Sequence, residues 1–390
     1  KPSGEFTGEV RVGAGNYGMT DVYVTADSAQ INDKLSFNFT ANKKQRDGFY
    51  DNLSTSSDID KFKELDSTSL RFGALYEHSD NLEFYYTYDR QESAALDGAI
   101  FDRSKSSGHA LTVTWQQSNN LTIKSITALR EIDYDDGNDY DGADFLGFHT
   151  YRHVEHEQVS QELQFIGDID NLTYVAGLFY FKEESDVNNP YVLGFGTVNN
   201  YYGVESTSVA AYGNVEYRLS DKLMLAGGLR WTTEEKSFYI EHPDDFSFAY
   251  FFPLPYTTAG DTWNNTSAMA SLNYELADNI HSYVKVSQGW KAGGFNGEAA
   301  TQALAVKPYA PEEVIAYEWG LKSRWLDQRI QANIAVFYND ITNMQMSEYL
   351  GAYSDIQNVG SAKVAGLEFE LVAALTDDLT LNFNYGLLDP

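Results

Sequence analysis

Cysteine is absent from the 390-residue chain, which rules out a disulfide framework and a cysteine nucleophile. No apolar run approaches the roughly 18 residues that a transmembrane helix needs, so the sequence predicts no membrane-spanning helix. Basic residues are scarce, with 27 Lys and Arg against 57 Asp and Glu and a formal net charge of −30. Such an acidic balance argues against nucleic acid as a partner.

Catalytic motifs are missing as well. The sequence has no Gly-x-Ser-x-Gly elbow and no His-Glu-x-x-His pair. The glycine-rich stretch "QGWKAGGFNG" (288–297) resembles a phosphate cradle only superficially, because such a loop precedes a helix and the downstream "PYAPEEVIAYEWG" has the pattern of a strand. The chain is therefore predicted to be no enzyme and to need no cofactor.

What the chain does contain is one local pattern, repeated along its length. A short turn of Asp or Asn precedes an extended run, as in "SDNLEFYYTY" from Ser79, "IDNLTYVAGL" from Ile169 and "TDDLTLNFNY" from Thr376. Asp and Asn tolerate tight-turn backbone angles and bond their own main chain. The spacing between these turns is irregular, and each gap accommodates two strands and one long loop.

The extended runs alternate with a period of two, which is the signature of strands with two different faces. In the last run, apolar side chains alternate with polar ones: Leu379, Leu381, Phe383 and Tyr385 oppose Thr380, Asn382 and Asn384. The runs are close to the ~9–11 residues that a tilted strand needs to cross a bilayer. The 28 Tyr and 6 Trp lie near strand ends, where amphipathic rings suit the headgroup level.

These features favour an all-β fold, an antiparallel transmembrane β-barrel with short periplasmic turns and long extracellular loops, over a soluble β-protein. About seventeen strands are predicted, near 5–13, 19–27, 33–42, 67–78, 82–91, 107–117, 120–132, 157–166, 172–183, 205–218, 222–235, 264–276, 280–289, 312–325, 329–340, 361–374 and 379–387. Five charged residues are expected to face a hydrated lumen: Arg230, Glu318, Lys322, Glu368 and Glu370. Bacterial barrels have even strand numbers, so the odd count predicts a fragment.

A family resemblance rests on the order and spacing of several short motifs in 309–371. The residues that carry it are Pro311, Glu312, Tyr317, Glu318, Gly320, Lys322, Phe337, Tyr338, Asn358, Gly360, Gly366 and Glu368. Together with "GLRWTTEEK" (228–236), they make the chain similar to the barrel of TonB-dependent outer-membrane receptors. "KPSGEFTGEVRVGAGNYG" (1–18) resembles the junction that follows the plug domain of that family.

The resemblance implies a 22-stranded barrel in the outer membrane of a Gram-negative bacterium, closed from inside by a plug domain. On this basis 1–390 is expected to be a partial barrel, with the plug upstream and about five strands downstream. The implied partners are TonB through an N-terminal segment, the plug, outer-membrane lipid and a small ligand. A ferric siderophore is the ligand expected from the family, and oligosaccharide, cobalamin and haem are alternatives. A passive porin is the alternative from another class.

The stretch 288–297 is also the candidate ligand site. If the Asp and Asn turns are periplasmic, the strand from Ile280 ends at the outer surface. Gly289, Gly293 and Gly294 are then expected to bend the chain at the barrel rim, and Trp290 to anchor at the interface. The candidate ligand contacts are Trp290, Lys291, Phe295 and Asn296, whose aromatic and cationic groups suit an anionic, aromatic ligand.

Two further segments are candidates for cation binding. His149, His153 and His156 cluster at a predicted loop-to-strand transition, and imidazole can bind zinc, copper or haem iron. On a strand, His153 shares a face with Glu155 and Glu157, whereas His156 does not. The acidic run "DYDDGNDYDGAD" (133–144) is expected to form a solvated loop, because its spacing misses the calcium-loop pattern.

Overall fold

The computed structural model describes residues 1–52, 60–96, 101–140, 147–246, 252–349 and 354–389, and most of them lie in strands. The elements are β1 Thr7–Ala14, β2 Thr20–Asp27, β3 Leu35–Arg46, β4 Tyr50–Asp51, β5 Lys61–Phe62, β6 Glu64–Ser79, β7 Leu82–Leu96, β8 Phe101–Ser118, β9 Leu121–Asp139, β10 Phe148–Ile169, β11 Leu172–Asn188, β12 Tyr191–Leu193, β13 Gly196–Val198, β14 Tyr201–Ser220, β15 Leu223–His242, β16 Leu254–Ala277, β17 Ile280–Lys291, α1 Gln302–Ala305, β18 Glu312–Trp325, β19 Ile330–Thr342, β20 Gln345–Tyr349, β21 Ser354–Asn358, β22 Ser361–Ala374 and β23 Thr380–Asp389. No helix within these ranges has the length and apolarity to cross a bilayer.

Seventeen of the strands are long, and each pairs in antiparallel fashion with the next long strand along the chain. The series is β1 to β3, β6 to β11, β14 to β19, β22 and β23. The predicted antiparallel meander of seventeen strands is therefore confirmed. The three-residue strands β12 and β13 join the same sheet, and the pairs β4–β5 and β20–β21 form separate hairpins that the sequence pattern did not predict.

Short turns close one end of this sheet, as predicted. Asn32 and Asp33 between β2 and β3 have φ of 51° and 54°, and Asp170 between β10 and β11 has φ of 53°. Asn and Asp adopt this left-handed region more readily than other residues with side chains. The turn chemistry therefore fixes which strand ends lie together at the end that we assign to the periplasm.

The two faces of the sheet differ as the alternation predicts. One face exposes large apolar side chains to 38–57% of their area, among them Leu129, Leu178, Val215, Leu229, Leu272, Val284, Trp319 and Val336. The opposite face carries linked polar groups. There Tyr283 donates a hydrogen bond to Glu318, the Lys322 ammonium lies 5.7 Å from the Tyr283 ring centroid, and Asn333 donates to Glu370. The apolar face is the one that suits lipid, and the polar face suits the lumen.

Several strands extend beyond their predicted ends, and the longest extensions are on the side of the long loops. β10 begins at Phe148 rather than near 157, and β9 continues to Asp139 rather than ending near 132. The prediction that 133–144 forms a loop is therefore wrong for 133–139, while 141–146 lie outside the described residues. Above the membrane neither face must be apolar, so backbone pairing extends the strands without the alternation that marks them in sequence.

Candidate ligand vestibule

The main hydrophobic cluster of the described residues lies above the lipid-facing band, inside the mouth of the barrel. The segment 292–311, which we call the inner cap, folds over the inner face of β15 and β16. Phe238, Ile240 and Leu254 are buried under it, together with the cap residues Ala299 and Ala305. All five are at most 5% exposed. The cap is therefore docked on the wall of a vestibule rather than extended into solvent.

Glycine makes this docking possible at two positions. A Cβ on Gly293 would collide with the backbone oxygen of Tyr309 and with the indole of Trp263, and one on Gly294 would collide with the Tyr309 ring. Both residues thus serve close approach at the rim, in agreement with the predicted bend. Gly289 is different, because it lies within β17 opposite Val314. The prediction that Gly289 bends the chain is wrong, since regular pairing continues to Lys291.

The structure separates the four predicted ligand contacts. Trp290 and Lys291 are consecutive in β17, so their side chains point to opposite faces. Trp290 shares the outer face with Val284, and Lys291 lies exposed on the inner one. Phe295 stacks on Phe238 with ring centroids 5.4 Å apart and an interplanar angle of 9°. Only Lys291 of the four thus presents an exposed side chain to the vestibule.

Asn296 is the most buried of these residues, with 4% exposure. Its Nδ2 donates to the backbone oxygen of Ser354, and its Oδ1 accepts from the Glu298 amide at 3.0 Å. The Ser354 hydroxyl donates to the Glu298 carboxylate at 2.6 Å. The first and third of these bonds join the cap to strand β21, and the second lies within the cap, so Asn296 holds the cap in place.

A second set of side chains joins the cap to its neighbouring hairpin at the rim. Gln345 Nε2 donates to the backbone oxygens of Ala292 at 2.9 Å and Ala310 at 3.0 Å. Asn358 donates from Nδ2 to the oxygens of Ala310 and Asn343, both at 2.8 Å, and accepts from the Ala310 amide at 2.7 Å. The family-like Asn358 motif found in the sequence therefore has a structural role that sequence reasoning did not assign.

On the inner face of the barrel wall, the side chain of Arg230 lies between two aromatic rings. The Arg230 guanidinium lies 5.3 Å from the Phe179 ring centroid and 5.6 Å from that of Tyr212. Tyr212 in turn donates to Glu162 at 2.5 Å. Arg230 was predicted to face the lumen, and this position agrees with it. The flanking rings were not predicted, because they come from strands that are distant in sequence.

A charged pair lies higher on the inner wall. Arg152 Nε donates to Asp136 Oδ1 at 3.0 Å, and Asp136 is only 7% exposed. The Arg152 guanidinium also lies 5.5 Å from the Tyr134 ring centroid. Asp136 and Tyr134 belong to the acidic run that was expected to be a solvated loop. The alternation Tyr134-Asp136-Asn138 was the signal that could have placed them on one strand face.

The three candidate histidines do not converge. His149 Nε2 lies 3.6 Å from Asp139, His153 Nδ1 lies 2.7 Å from Asp135, and His156 Nδ1 lies 2.7 Å from the Ser185 hydroxyl. His153 shares the outer face with Glu155, and His156 is on the inner face, as the alternation predicts. The Asp135 carboxylate raises the pKa of His153.

Metal-ligating atoms come together elsewhere. One ligand atom each of Asp133, Asp135 and His153 lies within 4.8 Å of the other two, on the outer face above the apolar band. The His149, His153 and His156 trio thus stays a prediction without a common site in this structure.

Another histidine, His242 at the end of β15, is buried at 2% exposure opposite Leu254, which belongs to the cluster under the cap. Burial lowers its pKa to about 4, so the imidazole is neutral at physiological pH. Sequence reasoning missed this residue, because nothing in "YIEHPDD" distinguishes a buried histidine from an exposed one.

Comparison with known proteins shows which family and which relatives this chain resembles. The family model described as TonB dependent receptor-like, beta-barrel matches residues 9–389. The pesticin receptor of Yersinia pestis is 26% identical over 210 residues, which are 53% of this chain and 29% of that protein. The probable TonB-dependent siderophore receptor PiuA of Acinetobacter baumannii is 26% identical over 194 residues, 48% of this chain and 24% of that protein.

Solved structures show the same fold over the whole chain. The ferric yersiniabactin uptake receptor FyuA from Yersinia pestis superposes with a TM-score of 0.87 at 18% identity, covering 100% of this chain and 61% of that one. The siderophore receptor PiuA from Acinetobacter baumannii gives 0.74 at 16% identity, covering 99% and 64%. The matched region therefore spans less than a third of the curated relatives and less than two thirds of the solved receptors.

Proposed function

The chain belongs to the TonB-dependent receptor-like β-barrel family, and we propose that it forms most of the barrel of an active-transport receptor for a ferric siderophore. Barrels of this family lie in the outer membrane of Gram-negative bacteria. The observation that carries the proposal is the family match over residues 9–389, combined with relatives that are named as siderophore and pesticin receptors.

The geometry of the wall supports this function. An apolar outer band fits lipid, and a polar inner face with charged groups such as Arg230 and Glu318 can hydrate a lumen or bond a plug. The proposed partners are a plug domain inside the barrel and TonB, which would contact a segment outside residues 1–390. Energy delivered through TonB would then move the plug and admit the ligand.

Within the vestibule, we assign the four candidate residues different parts. Lys291, exposed on the inner face, contacts the anionic ligand directly. Phe295 and Asn296 shape the vestibule by holding the cap, through the Phe238 stack and the Ser354 bond. Trp290 lies on the outer face and anchors the strand end at the lipid interface.

Uptake by cells that express the full-length protein tests the function. Cells with and without the gene receive a panel of iron-55-labelled ferric siderophores, including ferric yersiniabactin, in the presence and absence of a proton uncoupler. Gene-dependent uptake that the uncoupler abolishes is the expected result. Gene-dependent uptake that ignores the uncoupler would identify a passive pore, and no gene-dependent uptake of any chelate would refute the siderophore assignment.

A further inference from the structure

The inner cap and the hairpin β20–β21 belong to two different extracellular loops, separated in sequence by the strands β18 and β19. In the structure they share a border along the rim. Side chains of the hairpin loop bond the backbone of the cap, and side chains of the cap bond the backbone of the hairpin. Because each loop bonds the backbone of the other, the two loops are joined by more than incidental contact.

Ala310 is where the two loops are bonded most densely. Its carbonyl oxygen accepts from both Gln345 and Asn358, and its amide donates to Asn358 Oδ1. The side-chain amide of Asn358 thus accepts from the Ala310 N–H and donates to the Ala310 oxygen, as the backbone of a paired strand would. Asn358 also bonds the Asn343 oxygen, which fixes its own loop at the same point. One side chain therefore ties both loops.

The other end of the border is closed by Asn296, Glu298 and Ser354. Asn296 and Ser354 are 4% and 9% exposed, so water does not compete freely for these bonds. Between the two ends lies the apolar underside of the cap, where Ala299 and Ala305 have no measurable exposure. Moving the cap alone would expose this apolar surface and leave buried polar groups without partners.

We infer that the inner cap and the hairpin β20–β21 form one rigid body, which stays docked on the vestibule wall or leaves it only as a unit. Opening of either loop must break bonds at Ala310 and at Asn296 together, so the two openings are a single cooperative event. This inference concerns the loops themselves and holds whichever ligand the receptor carries.

Hydrogen exchange of the full-length receptor in bilayer discs tests the inference without any ligand. Peptides covering 299–306 and 345–349 report the two loops, and a peptide within 264–275 reports the barrel. The informative amides are those that Asn358 does not touch, such as Ala305, which donates to the Thr301 oxygen at 2.9 Å. In the wild type we expect both loop peptides to exchange on the order of a hundredfold slower than unstructured peptides.

The variant Asn358→Ala removes the central tie. It should accelerate exchange in both loop peptides by a similar factor, on the order of tenfold, while the barrel peptide stays unchanged. The matched control is Gln357→Ala, because the Gln357 side chain donates to Asp355 within its own strand, and it should change neither loop. If Asn358→Ala fails to assemble, Gln345→Ala removes the neighbouring tie and carries the same expectation.

Two results would overturn the inference. One is acceleration confined to 345–349 while 299–306 keeps its protection, which would show two independent loops. The other is a wild-type cap that already exchanges at unstructured rates, which would show that the cap is not docked.

Discussion

Leu272 of β16 lies directly opposite Leu225 of β15, and each side chain is 38% exposed. Two apolar partners that both face outward, in the middle of a sheet, identify the lipid side of the wall. Asn273, the next residue, points to the other face and donates to the Ser271 hydroxyl. This pair of neighbours gives a direct test of the orientation.

Leu272→Arg should destabilise the folded barrel by roughly 2–4 kcal/mol, because it places a charge near the middle of the bilayer. Asn273→Arg should cost much less, since its side chain enters the hydrated lumen. Denaturant titration of the full-length protein refolding into lipid vesicles measures both. Equal costs for the two variants would contradict the assignment of the faces.

Gly293→Ala should loosen the cap, because the new methyl group meets the Tyr309 backbone and the Trp263 ring. Limited proteolysis within 299–306 should become faster by at least tenfold, equivalent to about 1.4 kcal/mol. Gly213→Ala is the matched control, since a Cβ there has open space within 4 Å. A cap that stays resistant in the Gly293 variant would mean that Trp263 and Tyr309 give way without cost.

Acid should weaken the cap through His242. Its folded pKa is depressed to about 4 from 6.5, so the unfolded form takes up a proton first. The stabilising effect of the neutral, buried ring is complete above pH 6.5 and is lost as the pH falls from 6.5 towards 4, by up to roughly 3 kcal/mol.

Hydrogen exchange of the cap peptide at pH 7 and pH 4.5, corrected for intrinsic rates, measures this effect. His242→Gln should flatten the pH dependence, because the glutamine does not titrate. An unchanged dependence in that variant would assign the acid sensitivity to other groups.

Lys291→Glu should weaken binding of an anionic ferric siderophore by roughly tenfold in Kd, because the positive charge on the inner face at the end of β17 becomes negative. The control Lys222→Glu makes the same change in a turn at the opposite end of the barrel. Equilibrium binding of the labelled chelate that the uptake assay identifies measures both variants at two salt concentrations. Identical Kd values for Lys291→Glu and wild type would remove Lys291 from the site.

The sequence predicted the seventeen long strands because two physical rules repeat in it. Lipid on one side and water on the other impose alternation on residues such as Leu381 and Asn382, and tight turns require residues such as Asp170. Both rules act locally, so they can be read without knowing the rest of the fold.

The same rules say nothing about the region above the membrane. β9 and β10 continue there through Asp136 and Arg152, held by backbone pairing and an inner ion pair rather than by alternating hydrophobicity. The cap was missed for a similar reason. Ala299 and Ala305 are buried only because Phe238 and Ile240, distant in sequence, happen to lie beneath them. A site made by such convergence leaves no periodic trace in the chain.

The uneven strand lengths have a consequence for the shape of the mouth. β16 has 24 residues and its neighbour β17 only 12, while β1 and β2 have 8 each. At about 3.3 Å per residue, β16 rises much farther from the periplasmic turns than β17 does, so the rim of the barrel is uneven in height. Beyond Lys291 the rim is therefore formed by the cap rather than by a strand. Movement of the cap would change the height of the rim on this side, whereas β16 keeps it high on the other.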